Sequence, residues 1–145
     1  MHMLHHISIG VSNIERSARF YDEALAALGY VRVWEDLRPG EEEQAVGYGV
    51  RGGGDKLAIK LRNAENLLPG PGFHLAFSAP TRTAVQNFHV AALRNGGQDD
   101  GAPGLRPGYG PNYYAAFVID PDGYRIEAVI NGVGPQERTL DDNRA

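Results

Sequence analysis

The chain has 145 residues, with 14 Lys+Arg against 18 Asp+Glu for a formal charge of −4, and no cysteine. The missing cysteines exclude a disulfide framework and a thiolate metal site. A mildly acidic chain without a basic stripe argues against nucleic acid as partner. No apolar run approaches the roughly 18 residues of a membrane span, and no charged-then-apolar leader pattern is seen, so a cytoplasmic protein is expected.

In chain order, Leu4 to Val11 alternates with β-branched residues on one side and predicts a strand. Ser12 or Asn13 suits the cap of a helix running to about Leu28, with Gly29 ending it. Ile14, Ala18, Tyr21, Leu25 and Leu28 recur on one face of that helix. Tyr30 to Glu35, Gln44 to Val50 and Lys56 to Leu61 predict three further strands, and Leu67 to Gly72 a hinge. Phe73 to Ser78 then predicts a strand, and Thr81 or Thr83 opens a helix through about Leu93 to Asn95. A short strand is expected within the irregular Gln98 to Arg106. Tyr113 to Ile119 and Tyr124 to Ile130 are strands joined by the turn Asp120-Pro121-Asp122-Gly123. The Gly- and Pro-rich segment Gly101 to Pro111 reads as a mobile lid, and the polar stretch Gly132 to Ala145 as a loose tail.

The chain repeats itself. With an offset of 68, His6 falls on His74, Ile7 on Leu75, Phe20 on Phe88, Leu25 on Leu93 and Gly29 on Gly97. With an offset of 67, Ile59 falls on Ile126 and Lys60 on Glu127. The expected fold is α+β: a single domain spanning 1–145, with two tandem βαβββ modules (about 4–66 and 72–131) forming a curved mixed sheet around a shared cleft.

Strand alternation sorts the faces. His5, Ile7, Ile9 and Val11 are expected under the first helix, with His6, Ser8 and Gly10 opposite. Phe73, Leu75 and Phe77 go under the second helix, with His74, Ala76 and Ser78 opposite. Equivalent strands thus send His6 and Lys60, then His74 and Glu127, to the inner face. His89, alone on its helix, and His5 receive no role. Two imidazoles and a carboxylate on rigid strands suit a divalent metal with open coordination positions.

Leu4-His5-His6-Ile7-Ser8-Ile9 followed by Arg16-Ser17-Ala18-Arg19-Phe20-Tyr21 resembles the opening of the vicinal oxygen chelate superfamily. That group holds glyoxalase I, extradiol dioxygenases and bleomycin- or fosfomycin-resistance proteins. Gly72-Phe73-His74-Leu75-Ala76-Phe77 resembles the start of its second module. Phe117-Val118-Ile119-Asp120-Pro121-Asp122-Gly123-Tyr124-Arg125-Ile126-Glu127 resembles its closing hairpin, the most specific part of a likeness that runs over about residues 4 to 131. The resemblance implies metal ligands at His6, His74 and Glu127. It places Lys60 where glyoxalase I-like members carry a carboxylate, which argues against glyoxalase I activity itself. Lys60 is read as a salt-bridge partner of Glu127 or a residue behind the ligands, as a side chain reaching solvent at the rim, or as a catalytic base, with Glu127 the other candidate catalytic group.

Trp34, Tyr48, Arg106, Tyr109, Tyr113 and Tyr114 are candidates to shape a substrate pocket. Two functions compete. One is a small metal-dependent enzyme of glyoxalase or dioxygenase type acting on an oxygen-bearing small molecule, with Fe, Mn, Zn and Ni not distinguished. The other is a metal-free binding or sequestration module of bleomycin-resistance type. A homodimer is expected, with the ligands drawn from one chain or from two.

Overall fold

In the computed structural model, which describes residues 3–67 and 69–132, both halves of the chain fold in the same order. The first half runs β1 (Ile7–Val11), α1 (Ile14–Ala26), β2 (Val31–Asp36), β3 (Ala45–Gly49) and β4 (Asp55–Leu61). A 3-10 turn, Ala64–Asn66, follows. The second half runs β5 (Leu75–Ser78), α2 (Arg82–Arg94), β6 (Gln98–Leu105), β7 (Tyr113–Ile119) and β8 (Arg125–Asn131). Each half is a four-stranded mixed sheet, ordered β1-β4-β3-β2 and β5-β8-β7-β6, so the predicted duplication of βαβββ modules stands. The tail from Val133 lies outside the described residues. Among the described residues no helix is long and apolar enough to cross a membrane.

The helices start where their caps dictate. The Asn13 side chain accepts a 3.0 Å bond from the Arg16 N–H, and Thr81, at the equivalent place, accepts one of 3.0 Å from Ala84. Gly29 follows α1 with φ +93°, a conformation costly to any residue with a Cβ. The apolar faces meet as alternation requires. Ile9, Val11, Val46, Tyr48, Leu57 and Ile59 pack against Ile14, Ala18, Tyr21 and Leu25, while Leu75, Val118, Ile126 and Ala128 pack against Val85, Phe88 and Ala92. Each fully buried phenylalanine, Phe20 and Phe88, contributes about 1.5–3 kcal/mol.

The two halves join through their helices and one turn. The main contact between them is α1 on α2. The turn between β7 and β8 then reaches across. Tyr21 Oη donates to Asp120 Oδ2 at 2.6 Å. Asp122 accepts from the Ser12 hydroxyl, from Ser17 Oγ at 3.2 Å and from Arg16 Nη2 at 3.0 Å. Tyr124 Oη lies 2.7 Å from both the Gly10 and the Leu67 carbonyls and shares its hydrogen between them. Burial pushes the Asp120 carboxyl above its usual range, against the lowering effect of the bonds from Tyr21, Tyr124 and Asp122.

Two expectations change, and the β2–β3 ladder carries a bulge. The first strand begins at Ile7, so His5 precedes the ladder and is exposed rather than packed under α1. The irregular stretch is an eight-residue strand, β6, whose pairing with β7 slips twice, between Asp99 and Gly101 and again before Gly104. Gly101 to Leu105 is therefore sheet. Bonds from Tyr109 to Arg106, Gly110 to Pro107 and Tyr113 to Gly110 fold the rest into the β6–β7 connection rather than a lid. Finally, the β2–β3 register shifts between Arg32 and Trp34. Simple alternation puts both on one side. The bulge instead sends Arg32 to Asp22 on α1, at 2.7 Å, and turns Trp34 onto the opposite face over Gly47.

Two variants test this packing. Asp122→Ala strips Ser12 and Ser17 of their acceptor and leaves Arg16 with the Ser12 hydroxyl. Because the Arg16 side chain is 40% exposed, solvent screens part of the loss, and urea unfolding is expected to show about 2–3 kcal/mol less stability in a single transition. A Cβ on Gly47 would lie 2.3 Å from Trp34 Nε1. Gly47→Val should therefore displace the indole, and since the chain has one tryptophan, its emission should shift to the red.

Candidate functional site

A cleft of about 450 Å³ opens on the inner face of the second sheet, lined among others by Phe73, His74, Asp100, Tyr109, Tyr113, Phe117, Arg125 and Glu127. Its floor is Glu127, only 3% exposed, in the middle of β8. Alternation brings its neighbours to the same side: β8 pairs with β7 so that Phe117 faces Glu127, and Tyr113 lies two alternate positions before Phe117. Tyr113 Oη donates to Glu127 Oε2 at 2.7 Å. Burial first, and the neighbouring carboxylate second, push the Tyr113 phenol up to about 12, so it holds its proton at neutral pH. The other carboxylate oxygen, Oε1, lies 3.3 Å from His74 Nε2.

That spacing is informative. Two ligands each about 2.1 Å from one ion, at the tetrahedral angle, stand about 3.4 Å apart. A buried carboxylate and a half-exposed imidazole at this distance have the chemistry and spacing of two adjacent metal ligands. Around them, the Arg106 guanidinium stacks 5.4 Å from the centre of the Phe117 ring, and the Tyr109 and Tyr113 rings lie 5.3 Å apart. Arg125 pairs with Asp100 at 2.7 Å on the rim.

The inner face of the first sheet carries a different set. Trp34 lies over Gly47, which pairs with Ala58, which in turn pairs with Ser8. His6, just before β1, is exposed, and its Nδ1 lies 2.8 Å from that of His5. The half-buried Lys60 has no salt bridge to any described carboxylate; where a bond to this lysine was expected, Glu127 accepts from Tyr113 and lies 3.3 Å from His74.

The ladder also corrects the position assigned to Lys60. Ser8 and Ala76 are equivalent residues of the two modules. Ala76 pairs with Glu127, whereas Ser8 pairs with Ala58. The counterpart of Glu127 is therefore Ala58, and Lys60, which pairs with Gly10, corresponds to Val129. A slip of two residues keeps every side chain on its face, so alternation alone could not reveal it.

Of the residues singled out from the sequence, His74, Glu127, Tyr109 and Tyr113 line one cleft, and Arg106 stacks on its Phe117. Tyr48 and Tyr114 point the other way. Tyr48 Oη donates to the Ala18 carbonyl of α1, and the Tyr114 ring lies under Arg82 of α2, with its hydroxyl accepting from Gln86. His6, Lys60 and Trp34 belong to the other sheet, and among the described residues no three His, Cys, Asp or Glu side chains gather as a metal-binding group. Phe117, Arg125 and Asp100 were missed. The first two were legible, because they share the alternation of Tyr113 and Glu127. Asp100 sits at a register slip that no local pattern announces. His89 pairs with Asp99 at 2.9 Å, away from the cleft.

Comparison with known proteins follows the same lines. The family described as the Glyoxalase/Bleomycin resistance protein/Dioxygenase superfamily matches residues 3–128. Among curated proteins nothing matches. Similar solved structures include a glyoxalase/bleomycin resistance protein from Albidiferax ferrireducens, 27% identical, covering 90% of this chain and 100% of that one with a TM-score of 0.67. A glyoxylase/bleomycin resistance protein/dioxygenase domain from Frankia sp. is 18% identical, covering 91% of this chain and 99% of that one, with a TM-score of 0.67. A glyoxalase I mutant from Zea mays is 22% identical over 86% of this chain, with a TM-score of 0.66, and this chain spans 45% of the maize one. The last two are likenesses of fold. With the family match covering most of its length, the chain belongs to the glyoxalase/bleomycin resistance protein/dioxygenase superfamily.

Proposed function

We propose that the protein is a cytoplasmic metal-dependent enzyme of glyoxalase or dioxygenase type, with a His6, His74 and Glu127 site assembled between two copies of the chain. The observation that carries this reading is the His74–Glu127 pair, 3.3 Å apart on the floor of a cleft. One chain supplies two of the three ligands together, and His6 precedes the first strand of the other sheet. β1 and β5 are outer strands of their sheets, with no described strand paired beyond them, and His6 and His74 lie just before them. A two-fold pair of chains that sets β1 of one beside β5 of the other completes two sites at once.

Bound there, a divalent metal supplies a Lewis acid or a redox centre with positions open to substrate. The chain's own groups do the rest. Tyr109, Tyr113 and Phe117 form an aromatic wall that excludes water, with Trp34 contributing from the other sheet. Lys60, displaced from the ligand position and without a salt bridge among the described residues, is available to hold an anionic oxygen of the substrate. With Ala58 at the place equivalent to Glu127 and the cleft's other carboxylate, Asp100, paired with Arg125, glyoxalase I-type proton transfer between adjacent carbons is disfavoured, and a different reaction on a small, oxygen-bearing substrate is favoured. The aromatic wall also suits ligand capture without metal, the competing reading.

Metal titration separates the two. The enzyme reading expects one divalent ion per subunit, and His74→Ala or Glu127→Gln should weaken it by more than the roughly 10–100-fold typical of outlying partners. Lys60→Met should leave metal affinity within about threefold, because a lysine off the ligand position neither binds nor displaces the ion. Protein that takes up no divalent ion, yet binds small aromatic ligands, would establish sequestration instead.

Subunit mixing tests the shared site. His6→Ala and Glu127→Gln chains, each inactive in metal binding alone, should regain about half the metal sites per dimer when mixed to heterodimers, since each mixed dimer holds one intact set. No recovery on mixing would place all three ligands within one chain.

A further inference from the structure

We infer that Tyr113 is a positioning residue that makes Glu127 a one-oxygen ligand; this rests on the metal reading above. The two oxygens of Glu127 have different partners. Oε2 accepts the Tyr113 hydroxyl at 2.7 Å, and Oε1 faces His74 Nε2 at 3.3 Å. A phenol hydrogen bond draws on the charge of the oxygen it reaches and holds one of its lone pairs, which leaves the other oxygen the better donor to an ion. The cross-strand register holds the arrangement in place. Tyr113 lies on β7 opposite Asn131, four residues beyond Glu127 on β8, and reaches back along the sheet to it. The Tyr109 ring, 5.3 Å away, packs against the phenol. The carboxylate itself is 3% exposed, so water does not readily replace the phenol once it is removed. Limiting Glu127 to one oxygen leaves one more coordination position for substrate, which a substrate binding through two adjacent oxygens requires.

The probe is Co2+ alone, added to purified wild-type and Tyr113→Phe protein. Freed of the phenol, Glu127 can bind through both oxygens and raise the coordination number. A six-coordinate cobalt centre absorbs more weakly in the visible than a four- or five-coordinate one, because its ligand field is closer to centrosymmetric. Tyr113→Phe is expected to show a several-fold loss of visible absorption per bound ion. Tyr114→Phe, on the helix-facing side of the same strand, should match wild type. An unchanged spectrum in fully loaded Tyr113→Phe overturns this inference alone. Wild-type protein that takes up no Co2+ overturns the metal reading, and this inference with it.

Discussion

The structure hangs on one turn. Asp120 and Asp122, two residues apart between β7 and β8, both bond residues of α1 or its cap across the module boundary. Neither is a surface pair. Asp120 and the Asp122 side chain are each 3% exposed, so their donors are needed to offset the loss of water. Tyr124 adds a hydroxyl shared between the carbonyls of Gly10 and Leu67. The turn of the segment that looks most like a family signature is thus a clamp between halves, while the strands on either side of it carry Phe117, Arg125 and Glu127 into the cleft.

The clamp has a functional consequence. It fastens the second half to Ser12 and the first turns of α1, while α1 lies on α2. Glu127 sits on β8, three residues past Tyr124, so the strand that carries the buried carboxylate starts from the clamp itself. With the halves joined through their helices, His6 stays apart from the His74–Glu127 pair, and no described strand pairs beyond β1 or β5. On the proposed reading, a single chain carries two unlike half-sites. One has an imidazole and a carboxylate in an aromatic cleft. The other has an imidazole, a lysine and the only tryptophan.

Most of the fold was legible in the sequence because the same local grammar is written twice. Asn13 and Thr81 cap helices of equal length, and apolar alternation marks the strand faces. What was not legible follows from what alternation cannot encode. A period of two is unchanged by a slip of two, so Lys60 looked equivalent to Glu127 when the ladder gives that place to Ala58. A bulge reverses the pattern without notice, which is how Trp34 came to lie over Gly47. Glycines that resembled a lid, at Gly101 and Gly104, serve instead to let β6 slip against β7. Alternation also says which face a side chain takes, never which chain completes it.

The claim that a second copy completes the site is tested most directly by sedimentation equilibrium of the wild-type protein with and without a divalent ion. If ligands from two chains grip one ion, linkage requires that metal tighten the dimer, as it favours only the state that binds it. The account predicts a dimer dissociation constant that falls as Co2+ is added, with dimer and bound ion rising together. Fully loaded protein that sediments as a monomer would contradict it.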